Sequence, residues 1–281
     1  MTTGLYLYCL REPSGTPPEI HPANGGIKAP GVNGKGGVSI RIFNGIETIV
    51  SNVNLDDFGE IQKKAQEDIH WIREKALAHE MVVEEALGEP NNSSAPVIPV
   101  KFGVIFTTET RLTETLQAKH EAITTVFKRI RAKQEWSIKL FLMDYKKFKD
   151  QVRTQSERLS EKSQTLAALP AGLAYFMEEE LGEELESECS RRLDEQALKT
   201  FEDLKLFTAE AALVKLLDSK LTGRSERMIL NSAYLVANSQ LSEFEKNVSA
   251  MSAKLAPEGF LLEQSGPWPP YHFAEFVNIH D

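Results

Sequence analysis

A chain of 281 residues, 41% hydrophobic and 26% charged, has apolar material for one large folded domain or two ordinary ones. Its formal charge of −9, from 41 acids against 32 bases, argues against general nucleic-acid binding, which needs clustered Lys and Arg on phosphates. No apolar run approaches the roughly 20 residues that span a bilayer, MTTGLYLYCLREP lacks the pattern of a signal peptide, and only Cys9 and Cys189 could pair. A reduced, cytosolic, acidic protein is expected.

In chain order, Gly4 to Leu10 (GLYLYCL) reads as a short buried strand. Glu12 to Gly37, dense in Pro and Gly, reads as a long exposed loop. VSIRIF and IETIV flank Asn44-Gly45, the preferred pair for a tight type I′ hairpin turn. Asn54 can cap a helix with Asp57 in its first turn. From Phe58 through Ile61, Ala65, Ile69, Ile72, Ala76 and Val83 to Leu87, three- and four-residue steps, with one gap between Ala76 and Val83, predict one long helix, ended by Gly88 and Pro90. Val97 to Phe106 is strand-like but interrupted by Pro99 and Gly103, as at an edge, bulge or bend. A second helix is predicted from Thr108 to about Ala132.

WSIKLFLM, Trp136 to Met143, starts a new apolar strand, and a domain boundary is placed just before it, giving domains 1–134 and 135–281. Asp144 can cap a helix with Phe148, Val152, Leu159 and Leu166 at heptad-like spacing. Gln155 thins that stripe, so the helix should be solvated or paired as an antiparallel coiled coil. Leu169-Pro170 breaks the pattern or starts a new turn, and the helical arm extends over about 144–203. Arg227 to Val236 is a strand candidate, Ser239 to Leu255 a helix and Gly259 to Leu262 a final strand. The architecture expected is α+β: two tandem antiparallel-sheet sandwiches, the second carrying the helical arm.

Chemistry is hard to place. His70 and His79 lie nine residues apart on the predicted helix, hence on opposite faces, and read as surface or boundary side chains. No HExxH, CxxC or GxSxG spacing occurs. Gly31, Gly34, Gly36 and Gly37 miss both phosphate-loop spacings and precede a strand, so they read as flexible loop. Seven glutamates between Glu178 and Glu188 lack an ordering pattern for a cation and read as a solvated helix face. No catalytic residue, cofactor or metal site is expected. What remains is GPWPPYHFAEFV, Gly266 to Val277, where prolines disfavour helix or central strand while Trp268, Tyr271, Phe273 and Phe276 offer large apolar surface.

Three segments resemble the gas vesicle GvpF/GvpL family: GLYLYCL, the stretch VIPVKFGVIFTTETRL from Val97 to Leu112, and GPWPPYHFAEF. Gly172 to Phe176 (GLAYF) is similar to a fourth family segment, but it runs into Glu178-Glu179-Glu180 where relatives often carry basic residues. The resemblance implies two modified ferredoxin-like domains with a helical extension. It also implies a non-enzymatic accessory or minor structural protein of gas vesicles, buoyant gas-filled protein shells, that contacts the shell protein GvpA and other gas vesicle accessory proteins during assembly. No nucleic acid or membrane partner is implied, and the oligomeric state stays open. The site residues expected are Trp268, Pro269, Pro270, Tyr271 and Phe273 of the tail, with Phe102, acting as partner contacts or as a clamp. As a clamp the tail would cover the second domain. The alternatives are an adaptor dimerising through the Asp144 to Glu188 arm and a small-molecule enzyme centred on His272.

Overall fold

The computed structural model describes residues 3–12, 27–34, 37–58, 68–88, 95–167, 171–217 and 223–274, with all side chains but those of 57 and 167–176. The chain divides into two compact units, Met1–Glu135 with Pro267–Asp281, and Trp136–Gly266. Each has an antiparallel sheet, and the fold is α+β.

In the first unit the strand order is β2-β3-β1-β4, with β1 over Thr3–Arg11, β2 over Val38–Phe43, β3 over Ile46–Asn54 and β4 over Val97–Pro99; β5 (Ile105–Phe106) also pairs with β1. Side chains alternate across a strand, and β1 is buried from Gly4 to Leu10, so both of its faces are covered. Asn44 and Gly45 take positive φ of 50° and 76°, the backbone a type I′ turn requires, and Phe43 pairs with Ile46 across them. Gly4 is set by close approach: a Cβ there would lie 2.6 Å from Leu55 Cδ2 and 2.9 Å from the Phe106 carbonyl oxygen. Gly4→Ala should therefore cost about 1–3 kcal/mol through backbone displacement, read as a lower urea midpoint with unchanged m-value.

Among the described residues, the single helix expected from Asn54 to Leu87 is represented by two elements. α1 is short (Leu55–Phe58), with the Asn54 side chain accepting from the Asp56 N–H, while α2 (Ile69–Leu87) has its own N-cap, Asp68, which accepts from the N–H groups of His70 and Trp71. An internal cap accounts for the break, because its extended backbone interrupts the helical ladder. Ile61, Ala65, Pro90, the side chain of Asp57 and much of the expected 12–37 loop lie outside the described residues. The helix expected over Thr108 to Ala132 is likewise α3 (Glu109–Ala118) and α4 (His120–Ile130), which part at Lys119.

In the second unit the strand order is β7-β8-β6-β9: β6 is Lys133–Leu142, β7 Glu210–Leu213, β8 Arg227–Ala237 and β9 Phe260–Trp268. Between β6 and β7 run α5 (Tyr145–Gln155), α6 (Glu157–Ala167) and the 35-residue α7 (Ala171–Lys205). Asp144 caps α5 as its position suggests, accepting from the Lys147 N–H at 2.9 Å. Ser156 leaves helical geometry and separates α5 from α6, so the stripe that looked like one helix is carried by two. β7 has no sequence signal: EAAL is short and rich in residues that disfavour strands.

α7 serves two cores. Leu181, Leu185 and Cys189 pack with Val152 and Leu159 of α5 and α6. Leu193, Ala197, Phe201 and Leu204 pack against the sheet with Leu140, Tyr234 and, from α8 (Leu241–Leu255), Phe244 and Val248. Apolar residues repeat every fourth position, so at ~100° per residue the stripe drifts by roughly 40° per step and about 200° between Leu181 and Phe201. That winding lets one helix face the arm at one end and the sheet at the other.

Candidate functional site

Two of the three segments singled out in the sequence meet against α2. Tyr6 and Tyr8 of β1 point to the α2 side, where Val82, Val83 and Ala86 join the same core. His79 is fully buried among them, stacked on Tyr8 with ring centroids 5.6 Å apart and edge-on to Tyr6 and Phe102. Its hydrogen bonds form a chain. The Gly103 N–H donates to the Tyr6 hydroxyl (3.0 Å), Tyr6 donates to His79 Nδ1 (3.0 Å), and His79 Nε2–H donates to the Val100 carbonyl (3.1 Å). A carbonyl only accepts, which puts the ring proton on Nε2. Burial pushes the imidazole pKa down to about 4 from its ordinary 6.5, and the Val100 carbonyl opposes that only in part. His79 is thus a satisfied core residue, not the surface or boundary histidine that its spacing suggested; His70 is exposed. Tyr8 is satisfied similarly, accepting from the Val32 N–H and bonded to Ser51.

The third segment, the tail, ends on the same helix. Pro269 and Pro270 are buried, and the Pro270 carbonyl accepts from the N–H groups of Phe273 and Ala274, closing one tight turn. Tyr271 donates to Glu80, the residue after His79, at 2.8 Å. Burial raises the Glu80 carboxyl above its ordinary range, while the Tyr271 hydroxyl works to lower it. Buried Glu135 accepts from the His272 backbone N–H at 3.1 Å and from its ring Nδ1–H at 2.6 Å. Phe273 is 2% exposed and Trp268 43%. The tail was expected to cover the second domain. It belongs with the first unit, because its two anchoring carboxylates, Glu80 and Glu135, lie there. Phe276 and Val277 lie outside the described residues.

The profile of the family described as gas vesicle synthesis protein GvpL/GvpF matches residues 4–275. The chain belongs to the GvpL/GvpF family. Gas vesicle protein L from a Streptomyces species is 22% identical over 261 residues, covering 91% of each chain. Gas vesicle protein F from a Nostoc species is 24% identical over 225 residues, covering 79% of this chain and 86% of that protein. The crystal structure of GvpF from an Anabaena species has the same fold, with a TM-score of 0.72 at 22% identity over 97% of this chain and 98% of that one. GvpF from Microcystis aeruginosa aligns with a TM-score of 0.66 at 20% identity, over 96% and 98%.

In this GvpL/GvpF-family chain the glutamate run of α7 is an ion-paired face. Glu184 pairs with Lys162, Glu186 with Lys149 and the Tyr145 hydroxyl, and Glu188 with Arg191 and Arg192. The Arg191 and Arg192 guanidiniums hold the Glu188 carboxyl at about 2. Cations of the chain itself thus occupy these carboxylates, and no group of three metal-ligating side chains stands together among the described residues. Side chains of the GLAYF stretch, Gly172 to Phe176, lie outside the description. Also among the described residues, no helix is long and apolar enough to cross a membrane.

The tail aromatics and Phe102 were visible in the sequence as site candidates; His79, Glu80 and Glu135 were not. A histidine on an amphipathic helix and a glutamate beside a strand carry no local mark of burial. The one available signal was the apolar stretch Met81-Val82-Val83 after His79, which places that turn of the helix against a core.

Proposed function

We propose that this chain is a non-enzymatic accessory or minor structural protein of gas vesicles, acting in the cytoplasm, that binds the shell protein GvpA and assists its assembly. The family match over residues 4–275 carries the reading, since it takes in both units. A net charge of −9 suits a protein that must keep a sticky apolar subunit in solution. The test is capture of the shell subunit by the full chain under assembly conditions. Retention of the shell protein is expected, and no interaction by pull-down or split reporter would overturn the proposal.

We read the two units as two modified ferredoxin-like domains, divided near Glu135, with α5, α6 and the first half of α7 as a coiled-coil-like extension. The second unit supports this with its element order, strand, helices, two strands, helix, strand, and with a sheet in which the first and third strands are central. The first unit has the same strand order without a described helix between its first two strands. In the tail, Pro269, Pro270, Tyr271 and Phe273 act as the clamp, with Phe102 in the aromatic layer that α2 buries. Trp268, 43% exposed, is the tail residue we assign to partner contact.

A further inference from the structure

The three arm helices of the second unit are held unequally. α5 is tied to the sheet core by Tyr145 and by Phe148, whose ring meets Phe260 edge-on with centroids 6.1 Å apart. α7 is tied there by Leu193, Ala197, Phe201 and Leu204. α6 packs on the arm alone: Leu159 is fully buried with Leu181 and Leu185, Leu166 is half-buried, and no other described side chain of α6 is buried. Its N-cap is also weak. The Ser156 hydroxyl stands 3.5 Å from the Leu159 amide nitrogen, whereas Asp144 caps α5 at 2.9 Å. Charge supplies the rest of the docking. Lys162 pairs with Glu184 and, at 3.9 Å, with Glu180, while Arg158 lies 3.4 Å from Glu184 Oε2. The Arg158 and Glu180 side chains are each 68% exposed, and pairs in such positions are weak and screened by salt. Docking also carries a penalty: Glu184 Oε2 is shut off from solvent and accepts no hydrogen bond among the described residues. It regains water once α6 leaves.

We propose that α6 is a strap released by ionic strength: it leaves α7 as a unit, turning at Ser156, and uncovers Leu181 and Leu185 while α5 and the sheet-bound half of α7 stay in place. This goes beyond the shell-binding reading and does not depend on it. Ser156 already has extended backbone, φ −89° and ψ 110°, so no helical ladder has to be broken there for α6 to swing away from α5. An 11-residue helix without its partner is too short to persist in water, so released α6 unfolds and its amides lose protection. One buried leucine and two screened cations on the docking side stand against the freed Glu184 oxygen and the chain entropy on the other. That balance places α6 at the low end of local opening free energies, where salt can shift it.

Hydrogen exchange of the full chain, followed by mass spectrometry, tests the strap. Amides of α6 should exchange faster than those of α5, of Leu193–Leu204 in α7 and of β8. Raising salt from about 0.05 M to about 1 M should speed α6 about fivefold or more relative to those three segments, because the screening length falls to roughly 3 Å. Lys162→Gln removes the cation that serves both glutamates. Its α6 should exchange about two- to fivefold faster at low salt and respond less to added salt, with the sheet amides unchanged. Exchange of α6 as slow as that of β8, opening of α5 and α6 at one common rate, or equal salt responses in the parent and Lys162→Gln would each overturn the proposal.

Discussion

Phe273→Ala should lower the stability of the first unit by about 3–5 kcal/mol, the usual cost of emptying a buried phenylalanine site. Trp268→Ala, five residues earlier in the same tail, should change it by no more than about 1 kcal/mol, as expected for an exposed position. Phe273 is 2% exposed at the end of the Pro270 turn, whereas Trp268 is 43% exposed. Tryptophan is the larger side chain and the more conspicuous in sequence, yet burial decides which loss matters. Urea denaturation followed by circular dichroism reads both. If the ranking were reversed, the clamp role of Phe273 would be wrong. If Trp268→Ala keeps its stability and loses shell-protein capture, the division of the tail into clamp and contact stands.

A second large effect should appear as acid sensitivity between pH 6.5 and 4. His79 titrates at about 4 in the folded chain and near 6.5 when unfolded. In that window the unfolded chain binds the proton and the folded one does not, so stability rises with pH and falls as pH drops. The contribution is fully present above pH 6.5, and about 3 kcal/mol of it is lost by pH 4, at ~1.4 kcal/mol per pKa unit. The cause is structural: a charged His79 would sit among Tyr6, Tyr8 and Phe102 with Nδ1 facing the hydroxyl that now donates to it. His79→Gln removes the titration while keeping a donor for the Val100 carbonyl. The difference in urea midpoint between pH 7 and pH 4.5 should therefore shrink in the variant relative to the parent. Equal shifts in the two proteins would show that His79 does not govern the acid limb. The paired glutamates of α7 act lower, since Glu188 stays ionised down to about pH 2.

Local signals served wherever the deciding interaction lies within a few residues. Asn44-Gly45 specified its hairpin because few residue pairs tolerate two successive positive φ angles. Asp144 and Asn54 capped where they stood, since a cap's partners are the next two or three amides. Breaks inside helices were harder to see. Asp68, Lys119 and Ser156 interrupt stripes whose apolar spacing continues across them, and spacing alone cannot distinguish one helix from two in line. β7 went unseen because its strand state comes from pairing with β8, not from its own residues.

The family segments divide in the same way. Sequence by itself determined the α+β class, the hairpin and membership in a gas vesicle family, because each rests on residue types at fixed local spacing. Tertiary structure alone decided that Gly4 is needed for the approach of Phe106, that His79 bridges Tyr6 to Val100, and that Tyr271 and His272 return to Glu80 and Glu135. Those contacts join residues from 21 to 191 positions apart. The burial that makes them strong is a property of the assembled core, which no single segment carries.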